Sequence, residues 1–543
     1  MRRRDFLKTI GLGTTGGVLN LYLPKDIFTQ EHFQLPPTPS LQGTFQNMEL
    51  PIELAPQKNF WKRIYTEFEY SDAVFYNPET FQVEDVLKVN KRDKNITPKQ
   101  TRALQEKKIE LKKKNGEVRF ERGQADDFKI GFERAAPYWN HCRRAFANNG
   151  VSDDRIYIGF LESCFYTDAV SIKYAVGAFQ FLRTTGEKFL MIDKSKYGHA
   201  VDERLDPIKE AEATALLLRA LYARYGNEFL AMNAFHSGKG NLDRALIFAN
   251  HYSKPSNASK TFADIVQIFP KLTHLIRPDK KKRRQSIRGT YQFKSSQYVP
   301  GFFGVKEGVQ EHFNFNLLKK ELGFDSIVLK YSTDVRIRII PTTKDKLELS
   351  LEDIVQLNQG LLYPKKVYLG KRAYWFFRQF MIKDHINKIT PRMPPDYELR
   401  LPPGKGKEFL EIFAQYLDKE VFVKEHRIGE SIQLTKEQRK GDILYESIVK
   451  LRRNNRREEV TLDMLEDVKN AYEQELKYNP NDRWLINSLK VINYDISEFK
   501  TEKKQKYHEK LEQYEEEIVK FVDKVREDPT ILDNPTLYNR MTR

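Results

Sequence analysis

Cysteine is nearly absent: Cys142 and Cys164 are the two in a chain of 543 residues. So small a number excludes a disulfide framework, and nothing resembles a Cys/His zinc cluster, so no metal or cofactor is expected. Both cysteines are read as buried thiols, with a single bridge between them as the alternative. Long apolar runs are lacking too, so no segment is built to span a bilayer, the N-terminus aside. Nor are the charges balanced. Lys and Arg outnumber Asp and Glu by 92 to 75, a net +17. That excess favours polyanionic surroundings (nucleic acid, anionic lipid or anionic cell-wall polymer) without choosing among them. No internal repeat is obvious.

What is present begins with the first residues. Met1-Arg2-Arg3-Arg4-Asp5-Phe6-Leu7-Lys8 precedes a weakly apolar, Gly/Thr-rich stretch from Thr9 to Leu23. A basic segment before a modest apolar one is an export signal by its physics. Arg3 to Lys8 also resembles the twin-arginine consensus, which addresses folded proteins to a bacterial export pathway. Residues 1–25 are therefore expected to be a twin-arginine-like signal, and the destination the periplasm or cell envelope of a bacterium. The alternative is a basic, frayed N-terminus of a cytoplasmic protein. No small-x-small site stands out near Tyr22-Leu23-Pro24, which leaves association with the membrane through an uncleaved signal open.

The length implies several domains. A Pro-, Gln- and Thr-rich stretch around Leu35-Pro36-Pro37-Thr38-Pro39 reads as linker, and 26–135 as a linker with an N-terminal accessory region. Within it Gln100 to Lys114 is a charged helical stretch. A further helix is expected from Asp127 to Asn149, stopping at Gly150. Ser152 or Asp153 can cap the next, Arg155 to Phe165, whose apolar residues lie on every side and call for burial. Asp206-Pro207 opens another helix, with Asp as cap and Pro at the first position, running to Tyr225 before Gly226. One more, from about Glu228 to Phe235, breaks at Ser237-Gly238-Lys239-Gly240. Residues 136–250 thus form a helical domain with glycine-punctuated turns.

Beyond it the texture changes. Lys280 to Arg284 is purely basic and reads as a solvated loop. Val335, Ile337 and Ile339 alternate with arginines, Leu351 to Asn358 reads as a short helix, and Tyr397, Leu399 and Leu401 alternate again. This points to a small α+β accessory domain over 251–425. Residues 426–543 are helical and highly charged, and Tyr507, Leu511, Tyr514, Ile518, Phe521 and Val525 form a seam wanting one partner helix.

Glu162 is a carboxylate inside an apolar helix. Burial without a partner costs a charged group dearly, so such an acid holds its proton to a higher pH than usual. An acid protonated near neutrality is what protonating a glycosidic oxygen requires. The plainer reading pairs Glu162 with a neighbouring arginine such as Arg155. The surrounding residues favour the first. Phe160-Leu161-Glu162-Ser163-Cys164-Phe165, then Ser171, Ala175, Gly177 and Gln180, then Asp202-Glu203-Arg204-Leu205-Asp206-Pro207 together resemble the family-1-type lytic transglycosylase domain, most closely the membrane-bound lytic murein transglycosylase D group. The resemblance spans about Tyr138 to Asn250, with weaker similarity at Tyr298 to Phe302 and Tyr397 to Pro402. A looser likeness to a LysM-like glycan-binding unit covers Leu351 to Asn358 and Tyr397 to Pro402.

The resemblance implies a mainly α fold: a lysozyme-like helical catalytic domain with a helical N-terminal region, a small α+β domain and a helical C-terminal tail. It implies cleavage of peptidoglycan glycan strands by Glu162, acting as general acid and then general base. Ser163 would steady the acid, and Ser171 belongs to the same pattern. Gln180 would offer donors and an acceptor to the sugar, and Gly177 would let the backbone approach it. Where most members carry Ala-Tyr-Asn-Ala-Gly, this chain reads Ala234-Phe235-His236-Ser237-Gly238. Phe235 lacks a hydroxyl and His236 replaces an amide with a titratable ring. Altered pH dependence, altered substrate and a non-cutting peptidoglycan-binding or scaffolding protein all follow as alternatives. Arg183 stands where the family usually has Pro. Asp168, Glu187 and Asp193 are the local acids that could serve a hydrolase as a second carboxylate. A nucleic-acid partner is not expected, since no recognition motif accompanies the charge.

Overall fold

In the computed structural model the described residues are 49–89, 98–171, 173–192, 201–252, 297–313, 321–329 and most of 440–503, with shorter pieces between 333 and 423. The signal segment, the Pro-rich stretch, Lys280 to Arg284, Val335 to Ile339, Asp193 and the seam from Tyr507 lie outside them. So does most of Leu351 to Asn358, although Asn358 N–H donates to the Ile354 carbonyl, one helical turn. The fold is mainly helical, with small antiparallel sheets.

Its centre is the helix Pro207–Tyr225, most of whose residues are buried. The ends form as the sequence dictates. The Asp206 carboxylate accepts from the Ile208 and Lys209 N–H groups, Pro207 needs no donor partner at the first position, and Gly226 closes the helix at φ +62°. Against this strut pack Trp139–Ala147, Glu228–Ser237 and, from far along the chain, Lys440–Arg453 and Arg483–Lys503. The short helix Tyr157–Ser163 lies against Tyr298–His312, which in turn packs along Ala55–Thr66. That last pair meets at backbone contact. A Cβ on Gly304 would sit 2.7 Å from the Lys58 carbonyl oxygen, so only glycine allows the approach.

The expected helix from Asp127 to Asn149 is two helices, Ala125–Ala135 and Trp139–Ala147, joined by a 3₁₀ turn at Ala136–Tyr138. Pro137 has no N–H to donate and its ring crowds the preceding turn, so the helix breaks there. Gly150 does take a left-handed conformation, φ +68°. The helix expected from Arg155 to Phe165 is a 3₁₀ turn, Asp153–Ile156, leading into Tyr157–Ser163, and Ser152 makes no side-chain capping bond. In the N-terminal region Pro98–Asn115 is helical, and beside it lies a three-stranded sheet the alternation did not reveal: Asp72–Tyr76 between Val83–Lys88 and Arg119–Arg122. Glu84, Asp85, Arg119 and Glu121 dilute the apolar alternation of its edge strands.

Tyr397–Leu401 is a strand, paired antiparallel with Asp325–Leu329 so that Leu399 faces Ile327. Tyr397, Leu399 and Leu401 are buried as the alternation requires, and Arg400 is buried too. Its guanidinium reaches Asp206 at 2.6 Å, tying this sheet to the first turn of the central helix. Among the described residues, no helix is long and apolar enough to cross a membrane.

Candidate active site

The helix Tyr157–Ser163 carries Glu162 and ends abruptly. Cys164 and Phe165 both adopt left-handed backbone conformations, φ +50° and +58°, which side-chain-bearing residues rarely take. Two contacts hold them. The Phe165 ring folds back over Gly159, where a Cβ would lie 2.7 Å from it, and Arg134 donates to the Cys164 carbonyl at 3.0 Å. The Arg134 guanidinium also stacks on the Tyr166 ring, 3.2 Å from its centroid. Both cysteines are free and buried.

Glu162 keeps 12% of its side chain exposed, on a helix otherwise enclosed by Ile158, Phe160 and Leu161. Its Oε1 lies 3.1 Å from His236 Nδ1. His236 sits near the end of Glu228–Ser237, and its ring stacks on Tyr298, centroids 4.4 Å apart at 19°. The carboxyl therefore meets an imidazole clamped from behind. Arg155, the other partner considered, is fully buried and committed to Asp154 and Glu228.

The remaining sequence-derived residues converge on one loop. Ser163 is buried, and its hydroxyl donates to the Ala178 carbonyl at 2.8 Å and accepts from Tyr166 N–H, so it ties the Glu162 helix to the 177–180 turn. Ser171 closes a tight turn: its hydroxyl accepts from Ala175 N–H at 2.9 Å, and its own N–H donates to the Ala175 carbonyl. Gly177 adopts φ +89° and Gln180 φ +60°. The Gln180 amide nitrogen donates to the Gly177 carbonyl at 2.7 Å and, more weakly, to that of Ala169. Phe235 packs edge-on against Phe181, 5.9 Å between centroids, filling an apolar gap that needs no hydroxyl. Arg183, in place of Pro, pairs with Glu187 at 2.5 Å, which engages one of the candidate second carboxylates.

One residue escaped the sequence reading. Glu210, on the central helix, is wholly buried and accepts the Ala178 and Phe179 N–H groups on Oε2, at 2.7 and 3.3 Å. Burial pushes its carboxyl well above the usual range, against the opposing pull of those two amides. It supports from beneath the loop that Ser163 holds from the side. Among the described residues no group of three or more His, Cys, Asp or Glu is arranged to hold a metal ion.

Fold and site together define a lysozyme-like helical domain that presents one enclosed carboxyl beside a strained loop. Residues 148–257 match the family model described as the transglycosylase SLT domain. The match supports an enzyme of the lytic transglycosylase class acting on peptidoglycan. No curated protein matches the chain.

Proposed function

We propose that the chain is an exported lytic transglycosylase that cleaves the β-1,4 bond between N-acetylmuramyl and N-acetylglucosaminyl residues, leaving 1,6-anhydromuramyl ends. The observation that carries this reading is the Glu162 carboxyl, nearly enclosed on an apolar helix and hydrogen-bonded to the His236 imidazole within the matched segment. Glu162 gives its proton to the leaving glycosidic oxygen as the C1–O bond breaks. As carboxylate it then takes the proton of the muramyl 6-hydroxyl, whose oxygen closes onto C1. No water is consumed. The acetamido group next to C1 assists in place of a second carboxylate. Gln180, half-buried at the end of the buried 177–179 stretch, would lie along the glycan, with its amide oxygen accepting from a sugar hydroxyl.

The basic signal-like N-terminus supports delivery to the periplasm or cell envelope, and the ordered motifs favour kinship with the membrane-bound lytic murein transglycosylase D group. The test is digestion of purified peptidoglycan with product analysis by mass spectrometry. Anhydromuramyl ends, one water lighter than hydrolytic ends, are expected, and Glu162→Gln should slow their release by about 100-fold or more while leaving the fold intact. Reducing muramyl ends would mean a hydrolase, and Asp168 would become the first candidate for its second carboxylate. Binding without cleavage by the wild type would establish the scaffolding alternative.

A further inference from the structure

We infer that Glu162 and His236 form one proton-sharing pair, with His236 as a positioning residue that holds the carboxyl through its Nδ1. This rests on the reading of Glu162 as the acid. Three helices converge to build the pair. Tyr157–Ser163 supplies the carboxyl, Glu228–Ser237 the imidazole, and Tyr298–His312 the phenol ring that stacks on it. Stacking at 4.4 Å fixes the imidazole plane, so Nδ1 is aimed at Oε1 rather than swinging in solvent. Exposure is graded as well: the carboxyl is 12% exposed and the imidazole 27%, so the pair meets water mainly through His236.

Two charged groups on either side of His236 along the chain are paired with other residues. Glu228, on the same helix as His236, is bound to Arg155. Lys239, just past Gly238, pairs with Glu498. From Tyr157–Ser163 the titratable group facing the imidazole is Glu162, and from Tyr298–His312 it is the Tyr298 phenol.

With one proton, the pair is either acid with neutral imidazole or carboxylate with imidazolium. Both forms carry the same total charge, so a low-dielectric site penalises neither as it would a lone carboxylate. Imidazole is the side chain that ordinarily titrates between about pH 5 and 8, whereas a free Glu loses its proton near about 4.3. Such a pair holds its proton within reach of the glycosidic oxygen whichever partner carries it. In the forward step that proton passes through Glu162 to the glycosidic oxygen as the C1–O bond breaks. When the 6-oxygen bonds to C1, its proton returns to the pair, which ends as it began.

Two measurements test this. The first is the pH profile of glycan cleavage for His236→Asn and His236→Gln, with melting curves to confirm folding. The alkaline limb of kcat/KM should move to lower pH in both while KM changes little. The second is an imidazole titration by NMR in the wild type and in Glu162→Gln, which needs neither turnover nor a folded His236 variant. Loss of the carboxylate should change the response of the His236 ring resonances to pH. An unmoved imidazole midpoint overturns the pair, and so does an unmoved alkaline limb in a folded His236 variant. Absence of cleavage by the wild type would instead overturn the lytic reading, and the titration would still decide the pairing.

Discussion

Gly177 and Glu210 are packed so closely that a methyl group on Gly177 would lie 2.3 Å from Glu210 Oε1 and 1.9 Å from the Arg204 carbonyl oxygen. One of those neighbours is backbone and the other is a buried carboxyl anchored by two amides, so neither can step aside. Glycine is required here twice over, for space and for φ +89°. Gly177→Ala should therefore displace the 177–180 turn, lowering the melting temperature by several degrees and cleavage by about 100-fold. Gly238 is the control. It has φ +81° but nothing within 4 Å of a Cβ, so Gly238→Ala should carry the backbone penalty alone, about 1–3 kcal/mol, without the packing clash. Equal melting losses in the two variants would contradict the packing argument.

Glu210 should also leave a mark on the pH dependence of stability. Its folded value is raised above the ordinary 4.5, so the unfolded chain ionises first as pH rises. The stabilising contribution is complete below about 4.5 and is lost as pH climbs through the folded value. Glu210→Gln keeps an oxygen for the two amides and cannot ionise. Its denaturant midpoint should fall less than that of the wild type as pH rises above about 5. Parallel curves would show that the buried acid does not titrate in this way.

His141 works in the opposite direction. It is buried against Phe324, with rings 4.7 Å apart, and accessible to little water. Burial, aided by Arg144, lowers its folded value from 6.5 to about 3. As pH falls below 6.5 the unfolded chain takes up a proton that the folded chain refuses until about 3, so stability declines across that window. The loss should reach a few kcal/mol, read as a falling urea midpoint between about pH 7 and about pH 4. His141→Phe should remove much of that slope. A wild-type midpoint that is flat over this range would show the ring to be protonated already.

The parts of the structure that could be read from sequence are those set by local chemistry. Asp206-Pro207 and Gly226 mark both ends of the central helix because caps and left-handed glycines act within a few residues. Neither end of the Glu162 helix was legible in this way: Ser152 forms no capping bond and the helix starts only at Tyr157, after a 3₁₀ turn. Cys164 and Phe165 are not residues that announce a left-handed turn; Gly159 and Arg134 impose it through tertiary contact. Glu210 was missed because Lys209-Glu210-Ala211-Glu212 looks like a solvated helical face. Only the amides of Ala178 and Phe179, 32 and 31 positions away, give its carboxyl a reason to be inside. His236 was flagged for its size and its titration, but its distance to Glu162 is a property of three converging helices.

The central helix also imposes a timetable on synthesis. Its first turns carry Asp206, Lys209 and Glu212, whose partners Arg400, Glu398 and Arg483 lie 194, 189 and 271 positions downstream. At ribosomal speeds of about 5–20 residues per second, those charges wait roughly ten seconds to a minute for their counterions to emerge. During that interval the helix N-terminus holds one anion over its dipole and two further charges with no place in an apolar interior. The segment that matches the transglycosylase family model is thus translated early but completed late, once Arg483 has left the ribosome.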